Sequence, residues 1–290
     1  MDKLWCFGDS FTAGHGCKYQ FDSNFSNDNE NSHYFKMYKD YIDSNKKIWP
    51  EIVSYNLGLE LVNLGKNGLS NEWIADNIIS NIKNISTKDI VILQTSTIGR
   101  YDFPFKKEKS LFGSLGKNEY KKDYIINTND SPYFFKTIFV TNIEKEWDES
   151  MKDTLRYVNA QENLNDKELV LNESKYNLIR KFFAEFINTK KYYERCVWRI
   201  VELSKLLSSL GIKNYIINEI EWPQYLNKPD NLIEMHNNGL TGYLYNNKQT
   251  ITNATNGEID DMHPSYEGHD DISNYIINFI KNETINIHNA

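Results

Sequence analysis

Ile90-Val91-Ile92-Leu93 is apolar at every position. A strand with one face in water alternates apolar and polar residues, whereas a strand covered on both faces does not. The run therefore predicts a buried strand of a parallel sheet flanked by helices. Two shorter runs precede it, Leu4-Trp5-Cys6-Phe7 and Leu61-Val62-Asn63-Leu64. Helical patterns fill the gaps. Pro50 suits a first helical turn, Trp49, Ile52, Val53 and Leu57 follow near helical spacing, and Gly58 ends that helix. Trp73, Ile74, Asn77, Ile78 and Ile82 trace a second helix, with Ser70 or Asn71 as its N-cap and Glu72 in its first turn. Strand, helix, strand, helix, strand predicts an α/β fold with a parallel sheet built from right-handed crossovers.

The pattern then stops. The segment 101–175 shows no further strand–helix unit and is rich in charge and aromatics, among them Phe103, Phe105, Phe112, Tyr124, Phe135 and Trp147. It reads as a large insertion after the third strand, either a lid over the strand ends or an appendage with its own small cluster. Tyr176 to Leu210 reads as one long helix, with a possible break near Asn188, stopped by Gly211. Ile212 to Asn218 is a fourth strand. A looser segment with a short strand around Tyr243 to Tyr245 leads to a closing helix carrying Ile272, Tyr275, Ile276, Phe279 and Ile280. The polar stretch 18–46 reads as a long loop. With no internal repeat and no linker, residues 1–290 are expected to form a single domain.

Several classes are excluded on composition. The formal charge is −7 and the Lys pairs are scattered, so no basic surface for nucleic acid is expected. The longest apolar runs fall far short of the ~18 residues a membrane span needs. Three cysteines, Cys6, Cys17 and Cys196, are too few for a disulfide framework. Cys6 belongs to the core. Cys17 is a packing residue or approaches the turn after the first strand. No leader is expected before that strand. Synthesis in the cytoplasm is therefore expected, with the final location open, because a particle-borne protein also lacks one.

Candidate chemistry begins at Gly8-Asp9-Ser10, directly after the first strand. A serine there sits where open α/β sheets bind their ligands, beside backbone N–H groups that stabilise negative charge. Alone, the tripeptide is better read as a strand followed by a loop with a capping serine, with Gly8 chosen for backbone freedom. The second element is Asp260-Asp261-Met262-His263-Pro264 near the C-terminus. On a helical turn, positions i and i+3 share a face, so Asp260 is expected to accept the Nδ1 proton of His263 and leave Nε2 for a serine hydroxyl. Asp261 is the rival carboxylate, set aside because adjacent positions on a turn point apart. His269, with His263 and the two aspartates, raises a metal site, but a catalytic zinc normally needs three protein ligands at fixed geometry. No metal and no cofactor are expected. His269 is read as capping the last helix or packing behind it, and His15 as a loop residue.

Gly8-Asp9-Ser10, a glycine turn after the second strand and Asp260-x-x-His263-Pro264 together resemble the SGNH (GDSL-type) hydrolases. The resemblance covers roughly 1–16, 49–100 and 195–285. It implies a flavodoxin-like three-layer α/β/α fold and a serine esterase working through an acyl-enzyme. Ser10 would be the nucleophile, His263 the base and then acid, and Asp260 its partner. Ser10 and Gly68 would supply oxyanion-hole N–H groups, with Gly65 a weaker candidate than Gly68. The family's third donor is an Asn in Gly-x-Asn-Asp after the third strand. Here that exit reads Gln94-Thr95-Ser96-Thr97, so Ser96, Gln94 or an amide near Gly68 (Asn67 or Asn71) would stand in. Arg100 is a candidate for binding a substrate carboxylate or sugar hydroxyl, with a structural salt bridge as the other reading. The expected partner is a small acyl ester, with acylated carbohydrate as one case. An acyltransferase, or a non-catalytic carbohydrate-binding or structural protein on the same scaffold, are the alternatives.

Overall fold

The computed structural model describes residues 1–18, 38–97, 100–106, 133–139 and 189–288. In chain order the strands are β1 (Lys3–Phe7), β2 (Glu60–Asn63), β3 (Ile90–Gln94), β4 (Arg100–Lys106), β5 (Tyr133–Phe139), β6 (Lys213–Ile217) and β7 (Leu232–Ile233). The helices are α1 (Ser10–Ala13), α2 (Trp49–Leu57), α3 (Asn71–Asn81), α4 (Thr189–Ser209), α5 (Gly239–Asn246), α6 (Ile251–Ala254) and α7 (Tyr266–His288), with one 3₁₀ turn at Ile82–Asn84.

Five strands form one sheet in the order β2-β1-β3-β6-β7, parallel throughout. Trp5 on β1, which lies between β2 and β3, is opposite Val62 of β2 and Val91 of β3. This α/β architecture is compatible with a flavodoxin-like fold, whose ligand crevice opens at the carboxyl ends of β1 and β3, where the strand order reverses.

Side chains alternate between the two faces, as the pleat requires. Trp5, Phe7, Val91, Leu93 and Ile216 pack with Ile74 and Ile78 of α3 and Val197, Ile200 and Leu207 of α4. Leu4, Cys6, Ile92, Tyr215 and Ile217 pack with Trp49 and Val53 of α2, Leu240 and Leu244 of α5, and Ile272 and Ile276 of α7. Helices cover both faces, which is why β3 carries no polar alternation.

The helix signals act as expected in α2 and α3. Pro50 occupies the first turn of α2, Glu51 accepts the Ile48 N–H at 2.9 Å, and Gly58 ends the helix at φ +67°. Ser70 caps α3 by accepting from the Trp73 N–H at 3.0 Å. Two expectations are corrected. Tyr243–Tyr245 is not a strand but part of α5, because Leu240 and Leu244, four apart, bury one helical face. The fifth sheet strand is instead β7, whose two residues are too few to leave a periodic signal.

β4 and β5 pair as an antiparallel ribbon, with Arg100 opposite Phe139 and Lys106 opposite Tyr133. The choice between lid and appendage for 101–175 otherwise falls outside the described residues, as do 176–188 of the expected long helix. Among the described residues, no helix is long and apolar enough to cross a membrane.

Candidate active site

Ser10 is the first residue of α1, directly beyond β1. Asp9 caps this short helix by accepting the Phe11 N–H at 3.1 Å. The Trp49 indole N–H donates to the Phe11 carbonyl at 3.1 Å and ties α1 to the start of α2. Gly8 is needed for space rather than for backbone freedom. Its φ is not in the left-handed region. A Cβ there would lie 2.2 Å from Thr12 Oγ1 and 2.6 Å from Gln94 Oε1.

The partner of Ser10 arrives from 253 positions away. His263 Nε2 lies 2.7 Å from Ser10 Oγ. The carboxylate behind it is Asp261, not Asp260. Asp261 Oδ1 is 2.5 Å from His263 Nδ1 and also accepts the His263 backbone N–H at 2.9 Å. The expected i,i+3 pairing needed a helical turn, but the segment between α6 and α7 is not helical. Burial there alternates: Ile259 buried, Asp260 exposed, Asp261 buried, Met262 exposed, His263 half-buried. Alternation of this kind puts i and i+2 on one side, which turns Asp260 to solvent. Thr252 fastens the segment, its N–H and hydroxyl both donating to the Asp261 carbonyl at 2.9 Å. The Ile251 N–H holds the His263 carbonyl at 2.9 Å.

Burial alone would raise the Asp261 carboxyl. The hydrogen bond and positive charge of His263, the charge of His15 and the Tyr38 hydroxyl outweigh it and hold the group well below the usual carboxylate range. Asp261 is thus the charged partner that a protonated His263 requires. The His263 ring packs against Phe11 at 4.9 Å and His15 at 4.3 Å between centroids.

The exit of β3 braces the site from behind. Gln94 donates from Nε2 to Asp9 Oδ1 at 2.8 Å and accepts the Thr12 hydroxyl on Oε1 at 2.5 Å. Ser96 Oγ lies 2.9 Å from Asp9 Oδ2 and 2.7 Å from the Leu69 carbonyl, and the Ser96 N–H donates to Asn71 Oδ1 at 2.6 Å. Both Ser96 donors are committed, so the expected oxyanion role for Ser96 is corrected to a structural one. Asn71 returns its amide to the Ser96 carbonyl at 2.9 Å and is committed too. Gly65 is a packing glycine: its N–H binds Asn63 Oδ1 at 2.9 Å, and a Cβ would meet Ala13 N at 2.7 Å. Gly68 is different. It is exposed, at φ +75°, and a Cβ there would meet no atom of the described residues within 4 Å. Its neighbour Asn67 keeps a buried Oδ1 with no hydrogen-bond partner among the described residues.

The remaining candidates fall elsewhere. Arg100 starts β4, but its side chain lies outside the described residues. His269 is fully buried in α7 and accepts the Trp49 N–H on Nδ1 at 3.3 Å, so it caps α2 rather than its own helix. Burial first, then the positive charges of His263 and Lys18, lower its pKa to about 3. Among the described residues, it is not part of the one group of donor atoms close enough to share a metal ion. The described residues do group donor atoms of His15, Asp261 and His263 within 4.8 Å of one another. Asp261 and His263 there hydrogen-bond to each other and to Ser10. Cys17 donates to the Pro264 carbonyl at 3.3 Å, and its burial pushes the thiol up to about 12, as suits packing rather than attack.

Sequence reasoning set Asp261 aside as the rival carboxylate, read His15 as a loop residue and missed Tyr38. The alternation from Ile259 to His263 was the available signal for Asp261, reinforced by Pro264, which disfavours helix at the preceding residue. Nothing local marks Tyr38 within its polar stretch.

Comparison with protein-family models, with curated proteins and with solved structures finds no match.

Proposed function

We propose that this chain is a serine esterase of the SGNH type, with Ser10 as nucleophile, His263 as general base and acid, and Asp261 as the orienting carboxylate. The observation that carries this reading is the 2.7 Å approach of His263 Nε2 to Ser10 Oγ, with Asp261 behind Nδ1. A serine hydroxyl is a weak nucleophile at neutral pH until a positioned base takes its proton. The strand order and the location of Ser10 beyond β1 support the SGNH fold, with the β4–β5 ribbon belonging to an insertion after the third strand.

In this mechanism Ser10 Oγ attacks the ester carbonyl carbon as its proton passes to His263 Nε2. Asp261 stabilises the resulting imidazolium. Backbone N–H groups of Ser10 and Gly68 receive the oxyanion, each donor being worth roughly 3 kcal/mol of barrier. Collapse expels the alcohol, which takes the proton from His263. Water, deprotonated by the same imidazole, then releases the acid and restores Ser10.

The proposed substrate is a small acyl ester, with O-acetyl groups on carbohydrate as the specific case to try first. Acetate release from acetylated sugars should be abolished in Ser10→Ala. Equal turnover by the wild type and Ser10→Ala would sink the reading.

A further inference from the structure

Asp261 is engaged on both oxygens, and only one of them serves His263. Oδ2 accepts the Tyr38 hydroxyl at 2.5 Å, and His15 Nε2 lies 3.8 Å from the same oxygen. Tyr38 is 3% exposed, His15 7% and Asp261 8%. The three side chains form one packed group, the Tyr38 ring meeting the His15 ring edge-on at 5.7 Å and the His15 ring lying 4.3 Å from that of His263. Tyr38 is fixed in turn by Cys17, Ile48, Ile251, Ile259 and Tyr266, an apolar cluster separate from the two that cover the sheet.

A carboxylate held by a single partner can swing about χ2, because that torsion is broad. Here the Oδ1 contacts alone come from one residue two positions away. The Tyr38 hydroxyl, reaching in from a distant part of the chain, fixes the opposite oxygen and with it the plane of the carboxylate. A hydrogen bond to a charged acceptor is among the stronger ones, and a buried carboxylate losing it keeps an undersatisfied oxygen. His15 limits the ring of His263 from the side.

We propose that Tyr38 and His15 are positioning residues that set the Asp261–His263 pair, Tyr38 by fixing Asp261 Oδ2 and His15 by packing against the His263 imidazole. The inference rests on the esterase reading for its kinetic consequence, but its geometric content does not. Removing the Tyr38 hydroxyl frees the carboxylate to rotate, weakens the bond to Nδ1, and lowers the rate of the proton-transfer step without removing any contact to substrate.

The test pairs a spectroscopic readout with kinetics. The imidazole N–H proton shared between His263 Nδ1 and Asp261 gives a far-downfield proton resonance, observable in the full chain without substrate and lost in His263→Ala. Tyr38→Phe is expected to shift or broaden that resonance and to lower kcat about ten- to a hundredfold with KM within about twofold, the pattern of an interaction realised in the transition state. His15→Asn is expected to perturb the resonance less and lower kcat less. Should Tyr38→Phe fold poorly, 3-fluorotyrosine at position 38 keeps the ring and hydroxyl and changes only the acidity of the donor, and the resonance should still move. An unmoved resonance in the folded Tyr38→Phe chain, or in the fluorotyrosine chain, overturns the proposal. Because the resonance is read without substrate, a wild type that hydrolyses no ester defeats the esterase reading while leaving this result to be decided separately.

Discussion

Asp261 and His263 stand two residues apart and share two hydrogen bonds at a single carboxylate oxygen, one from the imidazole Nδ1–H and one from the backbone N–H of His263. The second bond folds the short segment onto its own side chain. The carboxylate therefore orients the ring and the backbone that carries it, and the geometry demands the i+2 spacing. Asp260 has no access to this arrangement, being exposed on the other side of the segment.

The two aspartates make the first prediction. Asp261→Asn leaves the shape nearly unchanged but offers an amide where the imidazole needs an acceptor for Nδ1–H, and a loss of about 10⁴ in kcat is the scale for that change. Asp260→Asn should leave turnover within about threefold, as expected for a solvated carboxylate away from the reacting atoms. Parallel kinetics on the two variants decide the assignment. A larger loss in Asp260→Asn would reverse it.

His269 sets a pH dependence of stability. Its folded pKa is lowered to about 3 from an ordinary value of 6.5. Below pH 6.5 the unfolded chain therefore binds a proton that the native chain refuses. Stability should fall as the pH drops from 6.5 towards 3, by about 1 kcal/mol per pH unit from this residue. Asp261, depressed in the folded state, contributes stability above the usual carboxylate pKa that is lost as the pH falls below it, and Asp270, raised by burial, titrates closer to this window, so it is the difference between His269→Gln and the wild type that isolates His269. Urea unfolding across that window should show a shallower decline in His269→Gln than in the wild type. Parallel curves would refute the burial of a neutral imidazole there.

Gly8→Ala should destabilise the fold by about 1–3 kcal/mol, the usual range for forcing volume into a packed site. The added Cβ would press on Thr12 Oγ1 and Gln94 Oε1, which are bonded to each other. Those two groups belong to the buried network joining the ends of β1 and β3. A lowered urea midpoint with an unchanged m-value is the expected result.

Ser96→Ala separates a structural serine from an oxyanion donor. Its hydroxyl lies within hydrogen-bond reach of Asp9 Oδ2 and the Leu69 carbonyl, so its removal should cost about 1–3 kcal/mol of stability by leaving buried acceptors short of a donor. Turnover at a temperature where the variant is folded should stay within about fivefold of wild type. A loss near a hundredfold with unchanged stability would return Ser96 to the oxyanion hole.

Much of the scaffold was legible in the sequence because it rests on short-range signals. The apolar run at Ile90–Leu93, the Pro50 and Gly58 boundaries and the Ser70 cap each act locally, and each holds in the structure. Ser10 and His263 were legible as a pair only through the resemblance that Gly8-Asp9-Ser10 and the late His263-Pro264 carry together, and their side chains do meet. Asp261 was misjudged through one assumption, that its segment is helical. Ser96 was misjudged for another reason. A serine at a strand exit looks the same in sequence whether its hydroxyl faces the crevice or, as here, Asp9 behind it. Tyr38 and His15 were not legible as site residues at all, since their contact with Asp261 exists only in three dimensions.

The central claim is that Ser10 is an activated nucleophile, and covalent labelling tests it most directly. Folded wild-type protein treated with a fluorophosphonate should gain one phosphonyl group, mapped by mass spectrometry to the peptide carrying Ser10. Ser10→Ala should gain none, and His263→Ala should label far more slowly. Wild-type protein that is folded yet unlabelled at Ser10, or that labels equally fast without His263, would contradict the account.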